Sequence, residues 1–265
     1  MKLFIDSLGR RTSLALSTAA FFCLLIGWGA LASALAEPLF LPSPRKVIEA
    51  LGSLFAGRGF AWDILISVLR VSASVLLGLL MALPSGLALA LNKRFEAAAE
   101  PISAALRYTP VTALIPVLMF ALGIGEMHKI AVLTVGVFVQ LLPVVVQTFR
   151  SVERNYIAIG RTYGLSDFQL IQRVLLPRVL PSMIDSLRAS FAIAWAYVVL
   201  VEFWGASAGI GYRLWLSQRF KHPDEMYACA IVMGLLGLAT DIILVNVRRT
   251  MFRWERGRTL GSISG

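Results

Sequence analysis

The chain has 265 residues, of which 58% are hydrophobic, against roughly 45–50% in soluble globular proteins. Its formal net charge is +10, but the basic residues lie between apolar blocks rather than on one face with interleaved aromatics, which argues against nucleic-acid binding. The composition indicates a membrane protein, and its two cysteines, each within an apolar run, exclude a disulfide framework and a cysteine-rich metal centre.

The first apolar segment, at about 14–35, follows a short basic start. About 20 apolar residues suffice to cross a bilayer as a helix. The sequence Ala34-Leu35-Ala36 also resembles a signal-peptidase site, so cleavage is the alternative to a retained helix. We favour the retained helix because the segment is longer than a usual signal-peptide core, and both alternatives place residue 37 outside.

A Pro- and Gly-rich segment at 37–62 contains an amphipathic pattern over 45–55, which predicts an external helix in the membrane interface. Pro84 is expected to kink the second span, and Pro110 and Pro116 interrupt the third. Segment 96–107 is predicted to be interfacial. The later spans are predicted at about 64–91, 108–122, 130–149, 183–204 and 227–247. We therefore predict an all-α, polytopic membrane protein with about six transmembrane helices.

Most of the 25 lysine and arginine residues lie at the termini, after the second span and in the segment 150–181. Cytoplasmic loops of membrane proteins carry such an excess of positive charge. Both termini, including the basic tail 249–265, and the segment 150–181 are therefore predicted to be cytoplasmic. Residues 57 and 221 are predicted to be external.

The segment 150–181 is a long polar, basic interlude between two very apolar blocks. A helix is predicted over 156–163, and Gly164 provides the left-handed conformation that ends it. Ser166 or Asp167 is suited to cap the helix that follows.

That second helix is predicted over 168–176, where the spacing places apolar side chains on one helical face and polar side chains on the other. Pro177 is expected to stop it, and Pro181 to open the next apolar block. The sequence thus predicts a helix, a turn and a helix, which form a docking surface.

The spacing within this segment resembles the cytoplasmic loop of bacterial ATP-binding-cassette (ABC) importer permeases. Their pattern is E-A-A-x-x-x-G, nine residues, then I-x-L-P, and here Gly164 precedes Val174-Leu175-Leu176-Pro177 in the same register. The first triplet reads Ala158-Ile159-Gly160, so the glutamate is missing and Ile159 is bulky. The resemblance implies an ATPase-coupling loop formed by Ala158, Gly160, Gly164, Ser166, Asp167, Phe168, Gln169, Ile171, Val174, Leu176 and Pro177.

Further motifs resemble the type I permeases that serve nitrate, sulfonates, taurine and related small anions. They lie at 67–71, at Pro110 with Pro116, at 120–126 and at 201–212, and with the loop they cover about two-thirds of the chain. The resemblance implies an N-terminal helix and periplasmic elbow at 1–62, a permease domain at 63–248 and the basic tail at 249–265.

The same resemblance implies a binding-protein-dependent permease of the bacterial inner membrane. It also implies a homodimer in contact with membrane lipid, two cytoplasmic ATPase subunits and a periplasmic solute-binding protein. None of the lysines follows a glycine, as a phosphate-cradling loop requires, so ATP and Mg²⁺ are expected on the ATPase. We predict no catalytic residue, cofactor or metal ion on this chain; His128 and His222 lie in different loops.

Ionisable groups within spans are costly and therefore candidates for function. The candidate pathway or gate residues are Glu202, Asp241, Gly209 and Gly211. Glu202 is alternatively a boundary carboxylate in contact with water. For Asp241, and for Arg70 in the second span, the alternative is pairing with another helix. Asp185 and Arg188, three residues apart, are expected to pair structurally.

Two other classes of membrane protein compete with the permease interpretation. An ion-coupled secondary transporter or channel would often show an internal repeat and a line of intramembrane charges. A membrane-embedded enzyme would need a cluster such as H-E-x-x-H or paired intramembrane aspartates. The sequence shows no convincing repeat, few charges within the spans and neither of the enzyme clusters.

Overall fold

The computed structural model describes residues 10–35, 41–57 and 59–252. All regular structure in these residues is helical, which confirms the predicted fold class. The helices are α1 Arg10–Ala34, α2 Pro44–Gly57, α3 Phe60–Leu91, α4 Lys93–Tyr108, α5 Leu114–Leu122, α6 Glu126–Arg150, α7 Arg154–Thr162, α8 Asp167–Leu170, α9 Leu176–Phe203, α10 Ile210–Arg219 and α11 Pro223–Met251. Most of the predicted basic tail lies outside the described residues.

By length and composition, five helical segments are able to cross a membrane, or six if the bent pair of α4 and residues 111–122 counts as one span. The bent pair joins the segment predicted to be interfacial, at 96–107, to the predicted third span at 108–122. Its two parts meet at 84°, because Pro110 has no N–H to continue the helix and restricts Thr109 to an extended conformation. By contrast, α3 continues as one helix through Pro84, and the kink there stays a prediction.

Pro177 does not stop the helix, contrary to the sequence-based prediction. A five-residue π-helical turn, Ile171–Leu175, joins α8 to α9, and both Pro177 and Pro181 lie within α9. Pro177 lies inside a continuous run of helical turns from Asp167 to Phe203, where its missing N–H removes one backbone hydrogen bond. The wider π turn accommodates the change in backbone hydrogen bonding. The second half of the predicted loop is thus the start of a long helix.

The chain forms two compact units, of which one comprises residues 1–60 and 213–231. In this unit α2 buries Val47, Ala50 and Leu54 on one face, and the predicted elbow helix is therefore present. Trp28 donates a hydrogen bond to the Pro42 carbonyl at 3.1 Å and stacks on Tyr227. The helix α10, most of which lies in this unit, was not predicted from the sequence.

The second unit comprises residues 61–212 and 232–265 and contains two apolar clusters between its long helices. Small residues allow α3 and α6 to pack closely. A Cβ at Gly78 would lie 2.7 Å from Val137 Cγ1, and one at Gly86 would collide with Val145. Two of the span glycines are therefore packing residues, as expected for helices in lipid. Gly234 has open space around it instead.

Candidate functional site

The helices α7 and α8 form a hairpin whose turn is built from local hydrogen bonds. Gly164 has a φ of +73°, and the N–H of Leu165 bonds to the Gly160 carbonyl at 3.1 Å. Ser166 caps α8 by accepting from the Gln169 N–H, while the Gln169 side chain accepts from the Ser166 N–H at 3.0 Å. The predicted turn and cap are thus confirmed, and the cap is a reciprocal capping box.

Gly160 sets how closely the two arms of the hairpin approach. Leu170 of α8 is 4% exposed, and a Cβ at Gly160 would collide with its Cδ2. This contact gives a physical reason for a small residue at the third position of the degenerate triplet. It also ties the orientation of α8 to that of α7.

The outer face of the hairpin carries large apolar side chains that the described residues leave uncovered. Ile159 is 55% exposed, Tyr163 is 80% exposed and Phe168 is 67% exposed. Next to them is a groove of about 430 Å³. The groove is lined by Tyr156, Ile159, Gly160, Tyr163, Leu165, Arg173, Val174, Pro177 and Arg178.

The predicted coupling-loop residues divide between this face and the interior of the hairpin. The exposed ones are Ala158, Gly164, Ser166, Asp167, Phe168 and Pro177. Gln169, Ile171, Val174 and Leu176 are half-buried, and Gly160 is buried. Sequence reasoning missed Ile159, which looked like a departure from the family pattern, and Tyr163. The signal available was their spacing of four residues, which places both on one helical face.

A second group of functional candidates surrounds Glu202, which is fully buried at the end of α9. Its carboxylate accepts from Arg70 Nη1 at 2.8 Å, from Ser67 Oγ at 2.7 Å and from the Gly211 N–H at 2.8 Å. A Cβ at Gly209 would lie 2.5 Å from this carboxylate. A glycine is therefore required at that position.

Arg70 lies at the centre of the same group and is 3% exposed. Its guanidinium donates to both oxygens of Glu126 at 2.6 Å and to the Ala208 carbonyl at 2.7 Å, in addition to Glu202. Lys129, also buried, bonds to Glu126 at 3.0 Å. A guanidinium suits this position because its donors form a rigid fork that bonds several acceptors at once.

Three successive backbone N–H groups at the start of α10 complete the arrangement. The Gly209 N–H donates to Asp63 at 2.9 Å, that of Ile210 to Ser67 Oγ at 2.9 Å, and that of Gly211 to Glu202. Helix starts leave such amides without intrahelical partners. We call the set of Asp63, Ser67, Arg70, Glu126, Lys129, Glu202 and residues 208–211 the Glu202 cluster.

Charged side chains also join α9 to α11. Arg188 donates to both oxygens of Asp241 at 2.7 and 3.0 Å and lies 3.6 Å from Asp185. Arg248 reaches Asp185 at 2.8 Å. The expected pairing of Asp185 with Arg188 is therefore present. It belongs to a network of four half-buried charged side chains that the sequence did not reveal.

The candidate pathway residues thus fall into separate contacts. Glu202, Gly209 and Gly211 lie together in the Glu202 cluster, where Glu202 contacts Arg70 rather than water. Asp241 is half-buried against Arg188. Arg70 and Asp241 each pair with a side chain of another helix, which was the alternative to a role in the pathway. A role of Glu202 in gating stays a prediction. Among the described residues, no group of three or more His, Cys, Asp or Glu side chains is arranged to hold a metal ion.

Comparison with known proteins matches residues 74–253 to the family described as binding-protein-dependent transport system inner membrane component. The chain is 30% identical over 246 residues to a probable ABC transporter permease protein of Brucella abortus (strain 2308), covering 93% of this chain and 98% of the relative. It is 27% identical over 253 residues to the taurine transport system permease protein TauC of Escherichia coli (strain K12), covering 94% and 92%. It is 28% identical over 218 residues to the putative aliphatic sulfonates transport permease protein SsuC of Bacillus subtilis (strain 168), covering 81% and 78%.

A solved structure shares the fold. An inward-facing form of the MetNI methionine ABC transporter matches with a TM-score of 0.64 at 20% sequence identity, over 71% of this chain and 93% of that chain.

Proposed function

The chain belongs to the family of binding-protein-dependent transport system inner membrane components and is a permease subunit of a type I ABC importer, and from this premise we propose that it translocates a small anion, such as a sulfonate, taurine or nitrate. Permease subunits are not themselves enzymes, and ATP is hydrolysed by a separate subunit. We propose that ATP and Mg²⁺ are held there. A periplasmic binding protein delivers the solute.

The observation that carries the coupling role is the apolar outer face of the hairpin. Ile159, Tyr163 and Phe168 are more than half exposed beside a groove, within the polar, basic segment 150–181. Aromatic side chains are enriched at the centres of protein interfaces. We assign this face to the ATPase subunit, with Phe168 at its centre.

The choice of anion rests on the named relatives, and the arrangement of charges suggests how the anion passes. In the described spans, Arg70 and Arg188 are each engaged by carboxylates of this chain. A solute would have to displace these carboxylates to gain a tight cationic site. We infer a weakly binding conduit, in which selectivity comes from the binding protein.

The purified permease alone is therefore expected to bind taurine or an alkanesulfonate with a Kd above about 1 mM, which corresponds to roughly 4 kcal/mol. Titration calorimetry in detergent checks this value, with nitrate and methionine as comparison solutes. A micromolar Kd would show that the permease carries its own selective site. Uptake that persists in cells without the ATPase would instead favour an ion-coupled transporter or channel.

We further propose that two copies of this chain form the translocation path between them, surrounded by the lipid of the bacterial inner membrane. Both termini and the hairpin lie in the cytoplasm. This orientation follows the distribution of lysine and arginine along the sequence.

The orientation predicts how single cysteines are labelled in a variant that lacks Cys23 and Cys229. Ser166, Gly57 and Lys221 are all exposed, so each position is suited to an introduced cysteine. An impermeant thiol reagent added to intact cells is expected to label positions 57 and 221 only. Labelling of position 166 before the cells are opened would contradict the orientation, and its labelling after lysis is the control.

A further inference from the structure

The Glu202 cluster holds together four segments that are distant in sequence. These are the first part of α3, the start of α6, the end of α9 and residues 208–211. Arg70, Lys129 and Glu202 are each at most 3% exposed. Three of the segments therefore contribute buried groups to one network, and the start of α6 joins it through Glu126, whose side chain is 55% exposed.

Separating these segments would leave buried charges and backbone groups without partners. A buried charge that loses its counter-ion is strongly destabilising, and a buried N–H without an acceptor adds to that cost. A conformational change in a transport cycle requires states of similar free energy. The network is therefore suited to persist through the cycle rather than to open and close.

The connection between the hairpin and α9 is, in contrast to this network, suited to bend. The π-helical turn Ile171–Leu175 interrupts the regular hydrogen bonding, and Pro177 and Pro181 each lack an N–H. Helices bend most readily at prolines and π turns. Single π turns within helices also occur frequently at functional sites. This is the segment through which a movement of the hairpin has to reach α9.

We propose that Arg70 and Glu202 are positioning residues that keep the four segments of the Glu202 cluster as one rigid body throughout transport, while residues 171–181 take up the bending. The proposal rests on the proposed function, since it assigns the movement to the action of the ATPase on the hairpin. It predicts that the Glu202 cluster keeps its structure during transport and that residues 171–181 change theirs.

Hydrogen exchange measured by mass spectrometry tests this proposal on the wild-type permease with its ATPase subunits in lipid nanodiscs. Peptides that cover 60–72 and 204–212 are expected to exchange at the same rate, within about twofold, in nucleotide-free and ATP–vanadate-trapped assemblies. Peptides that cover 168–178 are expected to change at least tenfold. A tenfold change at 204–212, or none at 168–178, overturns the proposal. Copurification of the ATPase, scored in the same preparation, tests the proposed function separately.

A variant tests the positioning residues themselves. Arg70→Lys keeps the charge, but an ammonium cannot bridge Glu126, Glu202 and the Ala208 carbonyl with the same geometry. We expect exchange at 204–212 to rise at least tenfold and the solute moved per ATP to fall at least fivefold, with the ATPase still bound. Arg45→Lys, in an exposed pair with Glu49, is the matched control and is expected to change neither value. Unchanged exchange in Arg70→Lys overturns the assignment.

Discussion

Replacing Arg70 by alanine is expected to destabilise the permease by about 3–5 kcal/mol, the usual cost when one partner of a buried ion pair is removed. Glu202 would remain fully buried without its counter-ion. The Ala208 carbonyl would lose its donor as well. The loss is measurable as a lower unfolding temperature in detergent and as a reduced amount of folded protein in the membrane.

A double variant separates the loss of charge pairing from the loss of packing. When Arg70→Met is combined with Glu202→Leu, no buried charge is left unpaired, and apolar replacements of buried ion pairs are often tolerated. The Gly211 N–H would still lose its acceptor, at about 1–3 kcal/mol. We therefore expect the double variant to recover part of the stability. If the double variant is no more stable than Arg70→Ala, the buried charge is not the cause.

Replacing Gly164 by glutamate is expected to reduce uptake at least tenfold. Either ATP hydrolysis continues without transport, or the ATPase subunit is lost from the assembly. Gly164 has a φ of +73°, a conformation that costs other residues roughly 1–2 kcal/mol. No atom lies within 4 Å of a Cβ built there, so the side chain itself meets no clash. The effect comes from the altered turn and from the new charge beside the apolar face. Uptake and ATPase activity of the reconstituted assembly are measured in parallel.

Gly59 provides a matched control for this substitution. It has a φ of +65° and, like Gly164, no atom within 4 Å of an added Cβ. Gly59→Glu therefore carries similar backbone strain and the same charge but lies far along the chain from the hairpin. We expect its uptake to stay within about twofold of the wild type. Normal uptake in Gly164→Glu would show that the hairpin is not the coupling element.

The hairpin was predictable because its determinants are local. A glycine that ends a helix, a serine that caps the next one and an amphipathic repeat all act within a few residues of each other. Most span positions were predictable for a related reason, since a long apolar segment has few alternatives in a membrane protein. The local signal at Pro177 was wrong, because the π turn before this proline accommodates the missing N–H without ending the helix.

The Glu202 cluster was not predictable in the same way. Ser67 and Arg70 lie 135 and 132 residues from Glu202, and no periodicity links them. The sequence marked Glu202 as a costly intramembrane charge, but its partners depend on how four segments pack. The position of Asp241 shows the same limit, because Arg188 is 53 residues away on another helix.

The glycine contacts between α3 and α6 also determine the direction of the chain between these helices. Gly78 meets Val137 and Gly86 meets Val145, so both helices advance by eight residues in the same direction. Helices that run parallel begin on the same side of the membrane, and residues 92–125 therefore have to carry the chain back across it. The bent pair of α4 and residues 111–122 is for this reason a full crossing despite its 84° angle. Together with the five long segments that are able to cross, the described residues then provide six candidate crossings, an even number, as the proposed cytoplasmic position of both termini requires.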